Sequence, residues 1–146
     1  SSVNLLSEFA IQNNVKLLIE NNVLTKNNLN RFEQNPLLMV DIEGTLAILE
    51  KVSKNVGLLI DVAHLKVSAR TLDFNPLEFL KIFSLHTNAY HLSDNDGISD
   101  SNQLVTKNSW FWPYIKKGLD YYSLEIYNRS PEELVSQLKL ARSILN

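Results

Sequence analysis

The sequence predicts an α/β fold built on a parallel sheet. Three observations carry this: four short apolar runs too continuous for one-sided strands, helical patterns with readable ends between them, and alternation of the two with a repeat of roughly thirty to forty residues. The expected order, α-β-α-β-α-β-α-β-α, means βαβ units. A doubly wound sheet and a barrel both satisfy it. A doubly wound nucleotide fold usually carries a glycine-rich turn after a strand, and this chain, with four glycines, has no GxGxxG or P-loop.

A first helix is expected from roughly Val3 to Gln12, followed by the first strand in Val15-Lys16-Leu17-Leu18-Ile19. Ile42, Leu46, Leu49 and Val52 fall at helical spacing ahead of a second strand, Val56-Gly57-Leu58-Leu59-Ile60. The segment Lys66-Val67-Ser68-Ala69-Arg70 then reads as a loop. Asn75-Pro76-Leu77-Glu78 supplies a cap, a proline at the first helical position and an acid in the first turn, ahead of Phe79, Leu80 and Phe83. Asn88-Ala89-Tyr90 and Tyr121-Tyr122-Ser123-Leu124 are the remaining strands. Ser130-Pro131-Glu132-Glu133 repeats the helix start before Leu134, Leu138, Ala141 and Leu145.

A length of 146 residues, 45% hydrophobic and 21% charged, suits one domain spanning 1–146. Sixteen acidic against fourteen basic residues, without a block of like charge, leaves no electrostatic footprint for nucleic acid. No apolar run approaches the ~20 residues that cross a bilayer, and the first residues lack a signal-peptide pattern, so no membrane partner and a cytoplasmic location are expected. With no cysteine, any metal must be held by oxygen and imidazole. The Ser1-Ser2 start, without methionine and already feeding a helix, points to a processed or truncated beginning.

Each apolar run ends in an ionisable residue: Glu20, Asp61, His91 and Glu125. Taken singly, each has an ordinary reading as a cap, a surface charge or a satisfied core imidazole. Their recurrence at one place in every βα unit favours a joint reading. Buried charges at the mouth of a sheet cost several kcal/mol each unless paired or bound to a cation. Three carboxylates and one imidazole form a hard ligand set that suits Mn²⁺, Mg²⁺ or Co²⁺ better than Zn²⁺.

The runs Ile19-Glu20-Asn21-Asn22, Leu58-Leu59-Ile60-Asp61-Val62-Ala63-His64, His91-Leu92-Ser93-Asp94-Asn95-Asp96-Gly97 and Ser123-Leu124-Glu125-Ile126-Tyr127 resemble the last four strands of the xylose-isomerase-like TIM barrels. That superfamily contains sugar-phosphate isomerases, ketose 3-epimerases, inosose dehydratases and apurinic-site endonucleases. The resemblance implies a (β/α)8 barrel of which this chain supplies strands five to eight. It implies Glu20, Asp61, His91 and Glu125 as metal ligands and His64 as a substrate contact. It also implies Glu20 and Glu125 as the acid and base that move a proton beside a carbonyl through an enediolate, in an isomerase or epimerase of a sugar or sugar phosphate. A dehydratase would begin with the same proton abstraction. The endonuclease alternative lacks a ligand, because Asn102 stands where its histidine belongs and Gln103–Asn108 has no glycine. A non-catalytic half-barrel that binds a ligand is the remaining alternative.

Further candidates surround this set. Lys66 and Arg70 offer cations for a phosphate or carboxylate, or are solvated loop residues. Asp100 is a sugar contact, a support for a ligand, or a loop cap. Trp110, in Trp110-Phe111-Trp112-Pro113, walls a sugar site or packs a loop. Asn21 and Asn22 orient Glu20 or touch substrate, and His86 is structural or exposed. A complete barrel takes roughly 250 residues, so four strands would leave two open edges and a bare inner face. Truncation, self-association of two copies, or an N-terminal half-barrel from the same or another chain would account for that.

Overall fold

A computed structural model describes residues 2–127 and 129–146; Ser1, half of the Ser1-Ser2 start, lies outside the described residues. The elements in chain order are α1 (Ser2–Gln12), β1 (Leu18–Glu20), α2 (Lys26–Phe32), α3 (Ile42–Leu49), β2 (Gly57–Asp61), α4 (Val62–Leu72), α5 (Pro76–Phe83), β3 (Thr87–Leu92), β4 (Tyr121–Leu124) and α6 (Pro131–Leu145). The four strands form one parallel sheet in the order β1-β2-β3-β4.

This small α/β domain corrects the expected (β/α)8 barrel half. The sheet is open, and among the described residues β1 and β4 each pair with a strand on one side only. Strict alternation also breaks. Two helices stand between β1 and β2 and two between β2 and β3, whereas residues 93–120 join β3 to β4 without a helix. That connection is braced instead by an antiparallel bridge between Asp94 and Gln103 and by the Lys66 ammonium and Ser109 hydroxyl on the Asp94 carboxylate.

Helix ends follow local chemistry. Asn75 caps α5 through the Leu77 N–H with Pro76 at the first position, and Ser130 and Glu133 form a reciprocal capping box on α6. The segment containing Lys66 and Arg70 is not a loop but lies within α4. That helix starts without a turn, because Asp61, the last residue of β2, is itself the cap, accepting from Ala63 and His64 N–H. Likewise α2 is capped by Thr25, with Glu33 in the left-handed region closing it.

The sheet's helix-covered face carries Leu58, Ile60, Tyr90 and Leu92, all buried with Leu65 of α4, Phe79 and Phe83 of α5, and Phe111. Phe79 and Phe83 pack one helical turn apart, their ring centroids 4.5 Å from each other. Successive strand residues alternate faces. Leu18, Leu59, Ala89 and Tyr121 therefore line the opposite face, with His91 and Ser123, around a shallow depression of about 480 Å³. At the start of β2 an added Cβ on Gly57 would collide with the Asn88 side chain, beside the point where the β2–β3 register shifts. No helix among the described residues is long and apolar enough to cross a membrane.

Candidate metal centre

Glu20, Asp61, His91 and Glu125 meet at the C-terminal end of the sheet, each offering one ligand atom, with all four atoms within 4.8 Å of one another. The ladder explains why. Asp61 and His91 are register partners on adjacent central strands, Glu20 ends β1 beside Leu59, and Glu125 follows β4 with its N–H on Leu92 O. Their burial differs from expectation. Only Asp61 is fully buried, while the side chains of His91 and Glu125 are 26% and 27% exposed and that of Glu20 37%.

The buried carboxylate carries the largest electrostatic penalty. Its Oδ1 caps α4, at 2.7 Å from Ala63 N and 2.8 Å from His64 N. Its Oδ2 is buried with no hydrogen bond and lies 3.9 Å from His91 Nδ1. Burial raises the Asp61 pKa to about 6, the charge and backbone bond of His64 pull it down, and the charges of Asp100 and Glu125 push it up again.

His91 Nδ1 lies 2.9 Å from Glu125 Oε2 and 3.2 Å from Glu20 Oε1. Those are ion-pair distances, yet Nδ1 forms no hydrogen bond. A nitrogen and a buried carboxylate oxygen, both without hydrogen-bond partners and both facing two further carboxylates, fit a divalent cation by residue type and placement.

His64 stands at the rim. Its Nδ1 meets Asn21 O at 2.9 Å and its Nε2 meets Asp100 Oδ2 at 3.2 Å. Burial alone would lower its pKa. The hydrogen bond to Asp100, the Asp61 charge and the Asn21 carbonyl outweigh this and lift it to about 9. The shift favours the protonated imidazole, and Asp100 stands beside it as a counter-charge.

The structure does not bring several other candidates to the cluster. The Asn22 carboxamide donates to Leu38 O at 2.9 Å, so Asn22 braces the loop after β1 and does not bond to the cluster. Lys66 is tied to Asp94 Oδ1 at 2.6 Å and to Asn95 O, and Arg70 to Asp96 O, so both cations fasten α4 to the loop after β3. Trp110 packs edge-on against Phe111 beside the core. His86 is exposed.

Asn21 does serve the site, though through Asp61 rather than through the Glu20 side chain: it is buried, and its carboxamide joins the end of β1 to the Asp61 backbone. Sequence reasoning passed over Tyr127 as a candidate. Its hydroxyl donates to Glu125 Oε1 at 2.6 Å, and that bond raises the pKa of the hydroxyl and keeps it protonated. The available signal was its position, two residues beyond Glu125.

The model of the family described as Poxvirus protein I1 matches residues 6–117. The chain belongs to the Poxvirus protein I1 family. No curated protein matches it. Among solved structures it is similar to the TTHB071 protein from Thermus thermophilus, in a crystal soaked with ZnCl2, with a TM-score of 0.63 and 24% identity over 97% of this chain and 51% of that chain. The chain thus spans about half the length of that neighbour, and a likeness at this identity shows the fold alone.

Membership of the Poxvirus protein I1 family corrects the resemblance to the xylose-isomerase-like TIM barrels, and with it the description of the chain as a barrel isomerase of that superfamily. Short polar motifs where parallel strands feed helices arise from the architecture itself, so they locate a site without identifying a family.

Proposed function

We propose that this chain holds a divalent cation on Glu20, Asp61, His91 and Glu125, and that the site moves a proton at a carbon beside a carbonyl in a sugar or sugar phosphate, as an isomerase or epimerase. The observation that supports this best is Asp61 Oδ2, buried without a hydrogen bond and facing three other ligand atoms. Leaving such a charge bare costs several kcal/mol, and a cation removes that cost.

A bound cation supplies positive charge that stabilises negative charge developing on a substrate oxygen. Glu20 and Glu125 take the remaining work, one carboxylate removing the proton and the other returning one to the same carbon or its neighbour. Both carboxylates are partly exposed and so within reach of a ligand, and the Tyr127 hydroxyl on Glu125 Oε1 holds that carboxylate in place. His64, held by Asn21 and Asp100, places its Nε2–H at the same rim, where a substrate oxygen or phosphate would take over from Asp100 as its acceptor. Sugar phosphates belong to the cytoplasm, and we place the chain there.

The test has two stages. Mn²⁺, Mg²⁺, Co²⁺ and Zn²⁺ are titrated calorimetrically into the metal-free chain, Zn²⁺ being included because the TTHB071 crystal was soaked with ZnCl2. Ketoses and ketose phosphates are then incubated with the loaded chain in D₂O, and deuterium at the carbon beside the carbonyl is read by NMR. Tight binding that Glu125→Gln abolishes, with deuterium uptake lost in the same variant, is expected. A folded chain that binds none of the four ions would sink the proposal at its first step.

A further inference from the structure

Asn21 sits at the point where β1 ends and the chain turns away from the sheet. Its side chain is buried, and both ends of its carboxamide are used on one residue forty positions away. Oδ1 accepts the Asp61 N–H at 2.8 Å, and Nδ2 donates to the Asp61 carbonyl at 3.1 Å. A two-point amide clamp of this kind fixes distance and orientation together, which one hydrogen bond would not. Gln137 makes the same double bond to Val105, where it docks α6 on the loop before Trp110. At Asn21 the clamped residue is the fully buried member of the ligand set.

The main chain of Asn21 adds a third link, its carbonyl 2.9 Å from His64 Nδ1. Glu20 immediately precedes Asn21, so one residue ties together the ends of β1 and β2, two of the four ligands, and the rim histidine. Paired strands already position Glu20 through the Ile19–Leu58 and Glu20–Leu59 ladder, but that ladder stops there. Beyond it, the Asn21 carboxamide takes the place of the next strand bonds and carries the β1–β2 register up to Asp61.

We propose that Asn21 is the positioning residue of the cation site, holding Glu20 and Asp61 at ligand separation and setting the His64 ring. This rests on the cation reading above. Groups that orient ligands from outside typically contribute about 10–100-fold to metal affinity. Coupling between two equilibria is reciprocal, so a clamp that favours the cation is itself tightened by the cation to the same degree.

The experiment compares Mn²⁺ affinity by electron paramagnetic resonance in the unmodified chain, Asn21→Leu and Ser68→Ala. Ser68 makes the right control, because its Oγ accepts the Leu24 N–H at 2.9 Å and donates to Asn22 O at 3.3 Å. It joins the same two segments without touching a ligand. Asn21→Leu should weaken Mn²⁺ binding by about 10–100-fold, while Ser68→Ala lowers the melting temperature and leaves affinity within about twofold.

Equal weakening in both variants, or none in Asn21→Leu, overturns the proposal. An unmodified chain that binds no Mn²⁺ overturns the cation reading itself and the proposal with it. Should Asn21→Leu fail to fold, hydrogen exchange on the unmodified chain decides. Saturating Mn²⁺ should slow exchange of the Asp61 N–H by about tenfold more than that of the Leu24 N–H, the reciprocal of the clamp's contribution. Parallel slowing of the two would show that the Asn21 bonds are structural only.

Discussion

Asp61 and His64 meet twice: the Asp61 Oδ1 accepts the His64 N–H at 2.8 Å, and the Asp61 Oδ2 faces the His64 Nε2 at 4.0 Å. One carboxylate thus starts a helix with one oxygen and faces the cluster with the other. The two roles are separable by substitution. Asp61→Asn keeps a capping oxygen but removes the charge, and it should weaken cation binding by about a hundredfold or more, at or above the top of the range for groups that only orient ligands. Because burial raises the folded Asp61 pKa to about 6, the ionised carboxylate costs stability at pH 7. Asp61→Asn should therefore melt no lower than the metal-free parent at that pH. Asp61→Ala loses the cap as well and should fall about 1 kcal/mol below Asp61→Asn in denaturant unfolding.

The raised pKa of His64 has a definite sign in stability. Its folded value of about 9 lies above its usual 6.5. The stabilisation from its protonated form is complete below pH 6.5 and is lost as pH rises through 9. Melting temperatures of the metal-free chain should fall across that window, and His64→Gln should flatten the slope. An unchanged slope in the variant would remove His64 as its source.

Tyr127 is more than half exposed, and its hydroxyl donates to Glu125 Oε1 at 2.6 Å. Tyr127→Phe should leave stability within about 0.5 kcal/mol, as for other exposed side chains. Deuterium exchange into substrate should drop by about tenfold, because Glu125 loses the group that orients it. Full exchange in Tyr127→Phe would assign the bond no part in proton transfer.

Gly57 and Asn88 couple through space. A methyl group on Gly57 strikes the Asn88 carboxamide and, less severely, the flexible end of the Leu18 side chain, and overpacking of this sort costs about 1–3 kcal/mol. Adding Asn88→Ala to Gly57→Ala should recover most of that loss. Additive losses in the double variant, measured by urea unfolding, would show that the collision is relieved elsewhere.

Much of the architecture is legible in residue order. Continuous apolar runs mark four strands of a parallel sheet, and all four are present within a few residues of their expected ends, but only the central β2 and β3 are largely buried, while β1 and β4 at the edges are partly exposed. Proline at the first helical position after a capping residue marks α5 and α6 for an equally local reason. Where a residue does two things the pattern misleads. Asp61 reads as the end of a strand and hides the start of α4, so Lys66 and Arg70 look like loop cations when they are helical residues pinned to the loop after β3.

The sequence by itself determined the parallel strands, the capped helices and the ionisable residue at each strand end, since all three follow from periodicity and local hydrogen bonding. Only the tertiary structure decided that β1 and β4 are sheet edges among the described residues, that Asp61 alone among the four clustered residues is fully buried, and that the carboxamide of Asn21 rather than that of Asn22 bonds Asp61. Asn21 and Asn22 are identical in chemistry and adjacent in the chain. What separates them is the β1–β2 register, which turns one carboxamide onto the Asp61 backbone and the other onto Leu38. That register is a contact across forty residues, and no local pattern encodes it.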